Sequence, residues 1–157
     1  MDKHYQDFGH PLTVVLEYAN LEIAQTKKGV ELINSEDHQR FIEQKLGSNI
    51  EEFRPDIVHQ TLLALLDTPL NKAGRLRVII HTKKGVLIKV APTIRLPRTY
   101  KRFSGLMAQL LTKMKIKSPE SKVTLLEVVN GPIESHFPSD PFIIGTSIKG
   151  HLVKDLD

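Results

Sequence analysis

Cysteine is absent from this 157-residue chain. Its absence excludes disulfides, thiolate zinc sites and a cysteine nucleophile, and agrees with a reducing compartment. Nowhere do eighteen apolar residues follow one another, so no transmembrane helix is expected. The opening MDKHYQDFGH lacks the basic start and apolar stretch of a secretory signal, which reads as a soluble intracellular protein. Familiar catalytic fingerprints are missing as well: there is no GxGxxG behind a strand, no GxxxxGK[ST], no HExxH and no GxSxG. The 7 histidines show no ligand spacing, and no metal is assigned.

The most informative shortage is of acid in the middle of the chain. Residues 68–119 contain 13 Lys/Arg and no Asp or Glu, whereas residues 1–67 carry 12 acids against 6 bases and residues 120–157 carry 6 against 3. A one-signed block within a segment that also looks folded is the electrostatic footprint of a phosphate-binding surface; a solvated lysine-rich face is the plain alternative. The block is densest in APTIRLPRTYKRFSGLM, where Arg95, Arg98, Lys101 and Arg102 crowd within eight residues. Pro92 and Pro97 hold that loop extended, while Lys101 and Arg102 fall in the first turn of the helix that follows. Cations there oppose the positive end of the helix dipole, an arrangement that costs stability unless an anion sits beside them. The mismatch favours a nucleic-acid or phosphate ligand.

Apolar periodicity supplies the frame. PLTVVLEYA predicts a buried first strand, residues 35–46 a polar helix capped by Ser35, and NIEEF a loop. RPDIVHQTLLALLDTPLNKAG predicts a helix beginning at Pro55, with Ile57, Leu62, Leu65 and Leu66 on its apolar face and Pro69 and Gly74 marking its end. RLRVIIHTKKGVLIKVAP predicts two strands around a turn at 83–85. Thr99 is expected to cap a second helix in which Phe103, Leu106, Met107, Leu110, Leu111 and Met114 recur at helical spacing. KVTLLEVVNGP and DPFIIGTS predict two further strands. Strands alternating with helices imply one α/β domain over residues 1–157, with a mostly parallel sheet.

Two smaller features carry weaker signals. In FRPD the Asp56 carboxylate is placed either to cap the helix or to orient Arg54, and spacing leaves both open. His59 reads as a core or hydrogen-bonding residue rather than a base or ligand, and GTSIKG at 145–150 as a strand and turn rather than a cofactor loop.

Three long stretches, FRPDIVHQTLLALLDTPLNKAG, VLIKVAPTIRLPRTYKRFSGLMAQLLTKMKI and LLEVVNGPIESHFP, closely resemble the small-subunit ribosomal-RNA pseudouridine N1-methyltransferases of the SPOUT superfamily, over most of residues 12–147. The resemblance implies a knotted SPOUT-like α/β fold, usually dimeric, that transfers a methyl group from S-adenosylmethionine to N1 of a pseudouridine in small-subunit rRNA. It implies a role in small-subunit biogenesis alongside pre-ribosomal proteins, in the nucleolus of a eukaryote or the cytoplasm otherwise. Carried over by motif, Arg54, Arg95, Arg98 and Arg102 resemble the family's RNA-contacting arginines, and Asp56 the acid that holds the first of them. Gly145, Thr146 and Ser147 resemble the entrance to the cofactor site. The family's cofactor pocket belongs to the knot, a region only beginning at GTSIKGHLVKDLD, so an incomplete C-terminal region is expected, and with it no methyl transfer by this stretch alone. No catalytic residue is assigned. The alternative reading is a non-catalytic RNA-binding assembly factor that uses the same arginine surface.

Overall fold

The computed structural model describes residues 11–151. Strand β1 (Leu12–Ala19) leads into a two-stranded hairpin, β2 (Ile23–Thr26) and β3 (Gly29–Leu32). A short helix α1 (Gln39–Phe41) runs directly into a π-helical turn (Ile42–Leu46), and a 3-10 turn (Ile50–Glu52) precedes α2 (Pro55–Leu66) and the one-turn α3 (Pro69–Lys72). Then come β4 (Leu76–Thr82), β5 (Leu87–Val90), α4 (Tyr100–Lys113), β6 (Lys115–Lys117), β7 (Thr124–Val129) and a 3-10 turn (Ile133–His136). No helix among the described residues is long and apolar enough to cross a membrane.

The five-stranded sheet has the order β1-β4-β5-β7-β6, and only β1 and β4 pair in parallel. The expected mostly parallel sheet is therefore wrong: the other three pairings are antiparallel. The cause is local. The tight turn at 83–85 reverses the chain between β4 and β5, and Gly85 takes φ 83°, a conformation that favours glycine. Helix α4 does return the chain in the direction of β5, as a crossover should, but β7 inserts between β5 and β6 and is antiparallel to both. Alternation of helix and strand identified the crossovers without identifying which strands become neighbours.

Packing follows the strand and helix periods. Alternate residues Leu76, Val78 and Ile80 of β4 join Ile88 and Val90 of β5, Leu62 of α2 and Phe103, Met107 and Leu110 of α4 in one core, while Arg77 between them is exposed. Ile57 of α2, expected in the apolar face, is 54% exposed, and the face is carried instead by Val58, His59, Leu62 and Leu66. A smaller cluster of Ile33, Ile42 and Phe53 seats the π-helical turn.

Other local expectations also change. Asn34, not Ser35, organises the start of the 35–46 segment: its side-chain oxygen accepts from the amides of Glu36 and Asp37 at 3.0 and 2.8 Å, and regular helix begins only at Gln39. The α2 helix ends before Pro69, and Thr68 starts a separate helical turn between Pro69 and Gly74, its hydroxyl accepting from Asn71 N–H at 3.2 Å. DPFIIGTS forms no strand. Both sides of β7 are already occupied, and the segment pairs with neither edge strand, β1 or β6.

Candidate nucleic-acid interface

The basic loop between β5 and α4 is a clamped structure rather than a loose tether. Ile94 and Leu96 are buried on either side of exposed Arg95, and Arg98 is exposed beyond Pro97, so the apolar side chains anchor the segment and the arginines project from it. Two buried side chains fix its ends. Asn71 donates to the carbonyls of Leu66 and Pro92 at 3.0 and 3.1 Å, tying α2, α3 and the loop together. The Nε2 of His59 lies 2.7 Å from the Pro97 carbonyl, which can only accept, so this nitrogen carries the proton. The His59 ring stacks on Phe103 with centroids 4.4 Å apart and meets Tyr100 edge-on. His59 is thus a core residue with one satisfied polar edge, as its position on the helix suggested.

Arg98 is not free of acid. It makes two parallel hydrogen bonds to Asp67, at 2.7 and 2.8 Å, from a residue thirty-one positions earlier at the end of α2. Arg54 makes the same kind of paired contact with Asp56, at 3.0 and 2.9 Å. Asp56 occupies the first turn of α2 and Arg54 the position before it, with no side-chain capping bond from Arg54. Hydrogen bonding from Arg54 holds the Asp56 carboxyl below the usual range, and Arg98 does the same to Asp67. Each guanidinium is raised in return by the hydrogen bond to its partner.

Thr99 stands at the head of α4 with extended backbone, but its hydroxyl makes no capping bond, contrary to expectation. The first turn of α4 contains no acid, and Lys101 and Arg102 are exposed there. Arg95, Lys101 and Arg102 have no ion-pair partner among the described residues. Three other cations of the basic middle third are paired elsewhere, Lys83 with Glu52, Lys84 with Glu22 and Lys115 with Glu127. Lys72, Arg77, Lys89, Lys113 and Lys117 also lack an ion-pair partner among the described residues, but only around the loop and the start of α4 do three such cations fall within eight residues.

Arg54 lies apart from that cluster, on a cavity of about 990 Å³ that it lines with Tyr18, Asn20, Thr61, Gly145 and Thr146. Gly145 and Thr146 therefore share a cavity with Arg54, while Ser147 closes a turn by accepting from Gly150 N–H at 2.9 Å. A larger groove of about 1630 Å³ lies between the β2–β3 hairpin, the 34–46 segment and α4. It is lined by both signs of charge, including Lys28, Lys45, Glu31 and Asp37, and reaches the basic cluster only through Lys101. Size alone does not make it the site. No group of side chains suited to a metal ion occurs among the described residues.

Sequence reasoning missed Asp67 and Asn71, although both stand in the stretch LLDTPLN. An acid at a helix end and a buried amide shortly after it were visible, but nothing in their spacing tied them to a loop some twenty to thirty residues later.

The sequence pattern described as EMG1/NEP1 methyltransferase matches residues 14–156. The chain belongs to this family. It is 52% identical over 134 residues to the ribosomal RNA small subunit methyltransferase NEP1 of Candida albicans, covering 82% of this chain and 50% of that protein. It is 46% identical over 148 residues to the human protein of the same name, covering 94% of this chain and 60% of that one. The chain thus spans between half and three fifths of these relatives' lengths. A crystal structure of Archaeoglobus fulgidus Nep1 bound to S-adenosylhomocysteine superimposes with a TM-score of 0.64 at 28% identity, covering 81% of this chain and 63% of that one. The EMG1/NEP1 assignment accounts for the three long sequence stretches.

Proposed function

We propose that this EMG1/NEP1 chain serves the reaction its relatives are named for, methylation of small-subunit ribosomal RNA, with S-adenosylmethionine as methyl donor and N1 of a pseudouridine as acceptor. The observation that carries the RNA part is the clamped loop: Arg95 and Arg102 stand exposed without ion-pair partners, beside an uncapped helix start, on a segment fixed by His59, Asn71 and Asp67. Guanidinium groups held on a rigid support lose little freedom when they grip phosphate, and each can do so through two donors. Arg98 keeps donors to spare beyond its pair with Asp67, and that pair is exposed enough for phosphate to compete with it. Arg54, oriented by Asp56, extends the contact to the second cavity.

The cofactor assignment rests on the relative bound to S-adenosylhomocysteine and on the wall formed by Gly145 and Thr146. Both residues are exposed beside apolar Ile144 and Phe137, a combination of backbone polar groups and apolar surface that suits a nucleoside-like ligand. When bound, the cofactor supplies a methyl group on a positively charged sulfur. A homodimer, pre-ribosomal protein partners and a nucleolar setting belong to the same proposal, by resemblance alone.

The test joins this chain to the segment that follows the match in the Candida albicans relative and supplies S-adenosylmethionine with a labelled methyl group. A hairpin of small-subunit rRNA containing pseudouridine should acquire the label on N1, and the Arg95, Arg98 and Arg102→Glu triple variant should lose it. RNA binding measured on the same proteins should show a log–log salt slope lower by about 2 to 3 in the triple variant, at 0.7–0.9 per lost phosphate contact. Labelling that persists in the triple variant, or an unchanged slope, contradicts the assignment.

A further inference from the structure

Strand β1 ends on an anomaly. Tyr18 has φ 51°, in the left-handed region that bulky residues avoid, and it is 76% exposed. The register between β1 and β4 breaks between Leu16 and Ala19, so the tyrosine stands outside the ladder. An exposed tyrosine is ordinary. One held in the open by a strained backbone is not, because glycine at that position would remove the strain.

Its neighbours suggest what the ring meets. Asn20 donates to the Tyr18 carbonyl at 3.3 Å and accepts from the Arg54 amide at 3.1 Å, so one side chain ties the aromatic residue to the arginine. Both line the second cavity. Arg54 spends two of its N–H donors on Asp56 and keeps three. Carboxylates also line this cavity: Glu17, already engaged by His81, together with Glu51 and Glu134. They disfavour phosphate inside it and tolerate an uncharged flat ring, while the guanidinium at its wall offers the one strong attraction for a backbone anion.

Building on the RNA-binding reading above, we propose that Tyr18 is a stacking platform for one unpaired RNA base, with the adjoining phosphate on Arg54. Every base has a π face, so such a platform selects for an unstacked nucleotide rather than for a particular letter.

The chain contains no tryptophan, so Tyr18→Trp introduces a single indole as a reporter. The full chain is titrated with an RNA hairpin carrying a single-stranded uridine loop, and with a blunt RNA duplex of equal phosphate count. The hairpin should quench the indole and the duplex should not. Tyr18→Gly should weaken hairpin binding by about five- to a hundred-fold, as loss of one stacked base does, while raising the melting temperature through relief of strain. Tyr18→Phe should bind like the parent. If Tyr18→Gly binds the hairpin as well as the parent while Arg95→Glu still weakens it, the stacking role is wrong and the RNA reading stands. Equal quenching by duplex and hairpin also overturns it. Parental chain that shows no arginine-dependent RNA binding overturns both.

Discussion

Two carboxylates, Asp56 and Asp67, show how single residues tie stability to the proposed interface. Both have carboxyls held low by arginine, so the stabilisation they contribute is present in full above the unfolded value near pH 4 and is lost as pH falls through the lower folded value. The parental chain should therefore lose urea resistance more steeply between pH 5 and 3 than an Asp56→Asn, Asp67→Asn double variant. The gap should be modest, because both pairs are exposed to water, and should shrink in high salt. Parallel pH profiles for the two proteins would show that the pairs contribute nothing to folding. Asp56→Gly should do more harm than Asp56→Asn, since it also frees the backbone in the first turn of α2 and releases Arg54. Thermal melting beside RNA affinity checks this, with Asp56→Gly expected to be lower in both.

At the scale of elements, α2 and α4 act as one support for the loop between β5 and α4. His59 reaches from α2 to the Pro97 carbonyl while stacking on Phe103 of α4, so the same ring couples core packing to loop position. His59→Phe keeps an aromatic ring on Phe103 and removes the donor, leaving a carbonyl unsatisfied at a cost of about 1–3 kcal/mol. RNA binding should weaken along with stability. His59→Gln, which can still donate, should recover part of the affinity despite losing the stack. Affinity that follows stability alone across the two variants, with no recovery by glutamine, would separate the hydrogen bond from loop positioning. Phe103→Ala should cost about 3–5 kcal/mol through the cavity it leaves, since Phe103 is fully buried.

Across the whole molecule the acidic first third and the basic middle third do not face away from each other as separate blocks. Lys83 and Lys84 of the hairpin turn meet Glu52 and Glu22, and Arg98 meets Asp67, so folding pairs part of the positive block with acids of the first third. Among the cations that stay unpaired, Arg95, Lys101 and Arg102 stand closest together along the chain, around the start of α4. Replacing Lys83 and Lys84 with Gln should therefore change the salt slope of RNA binding less than replacing Arg95 and Arg102 does. Replacing Lys27 and Lys28, on the turn of the separate β2–β3 hairpin, should likewise have the smaller effect. Salt titrations of the three double variants decide between a focused interface and a diffuse basic surface, which would show three similar slopes.

Sequence alone determined what depends on near neighbours. The apolar spacing in α2 and α4, the glycine turn between β4 and β5 and the closeness of Arg54 to Asp56 all follow from steric and hydrogen-bonding preferences over a few residues. The loop expected to run extended from Pro92 instead begins with a turn that Ile94 N–H closes on the Ala91 carbonyl. The density of arginine in the loop was likewise legible without a fold. Only the tertiary structure decided which strands became neighbours, because β7 enters the sheet after β6 yet pairs between β5 and β6. That arrangement makes the sheet mostly antiparallel. It also took the packed molecule to bring Asp67 to Arg98, Asn71 to Pro92 and His59 to Pro97 across separations of twenty-one to thirty-eight residues. A charge or amide in a sequence announces that it needs a partner; the partner is chosen by the packing of elements whose order in space their order along the chain does not specify.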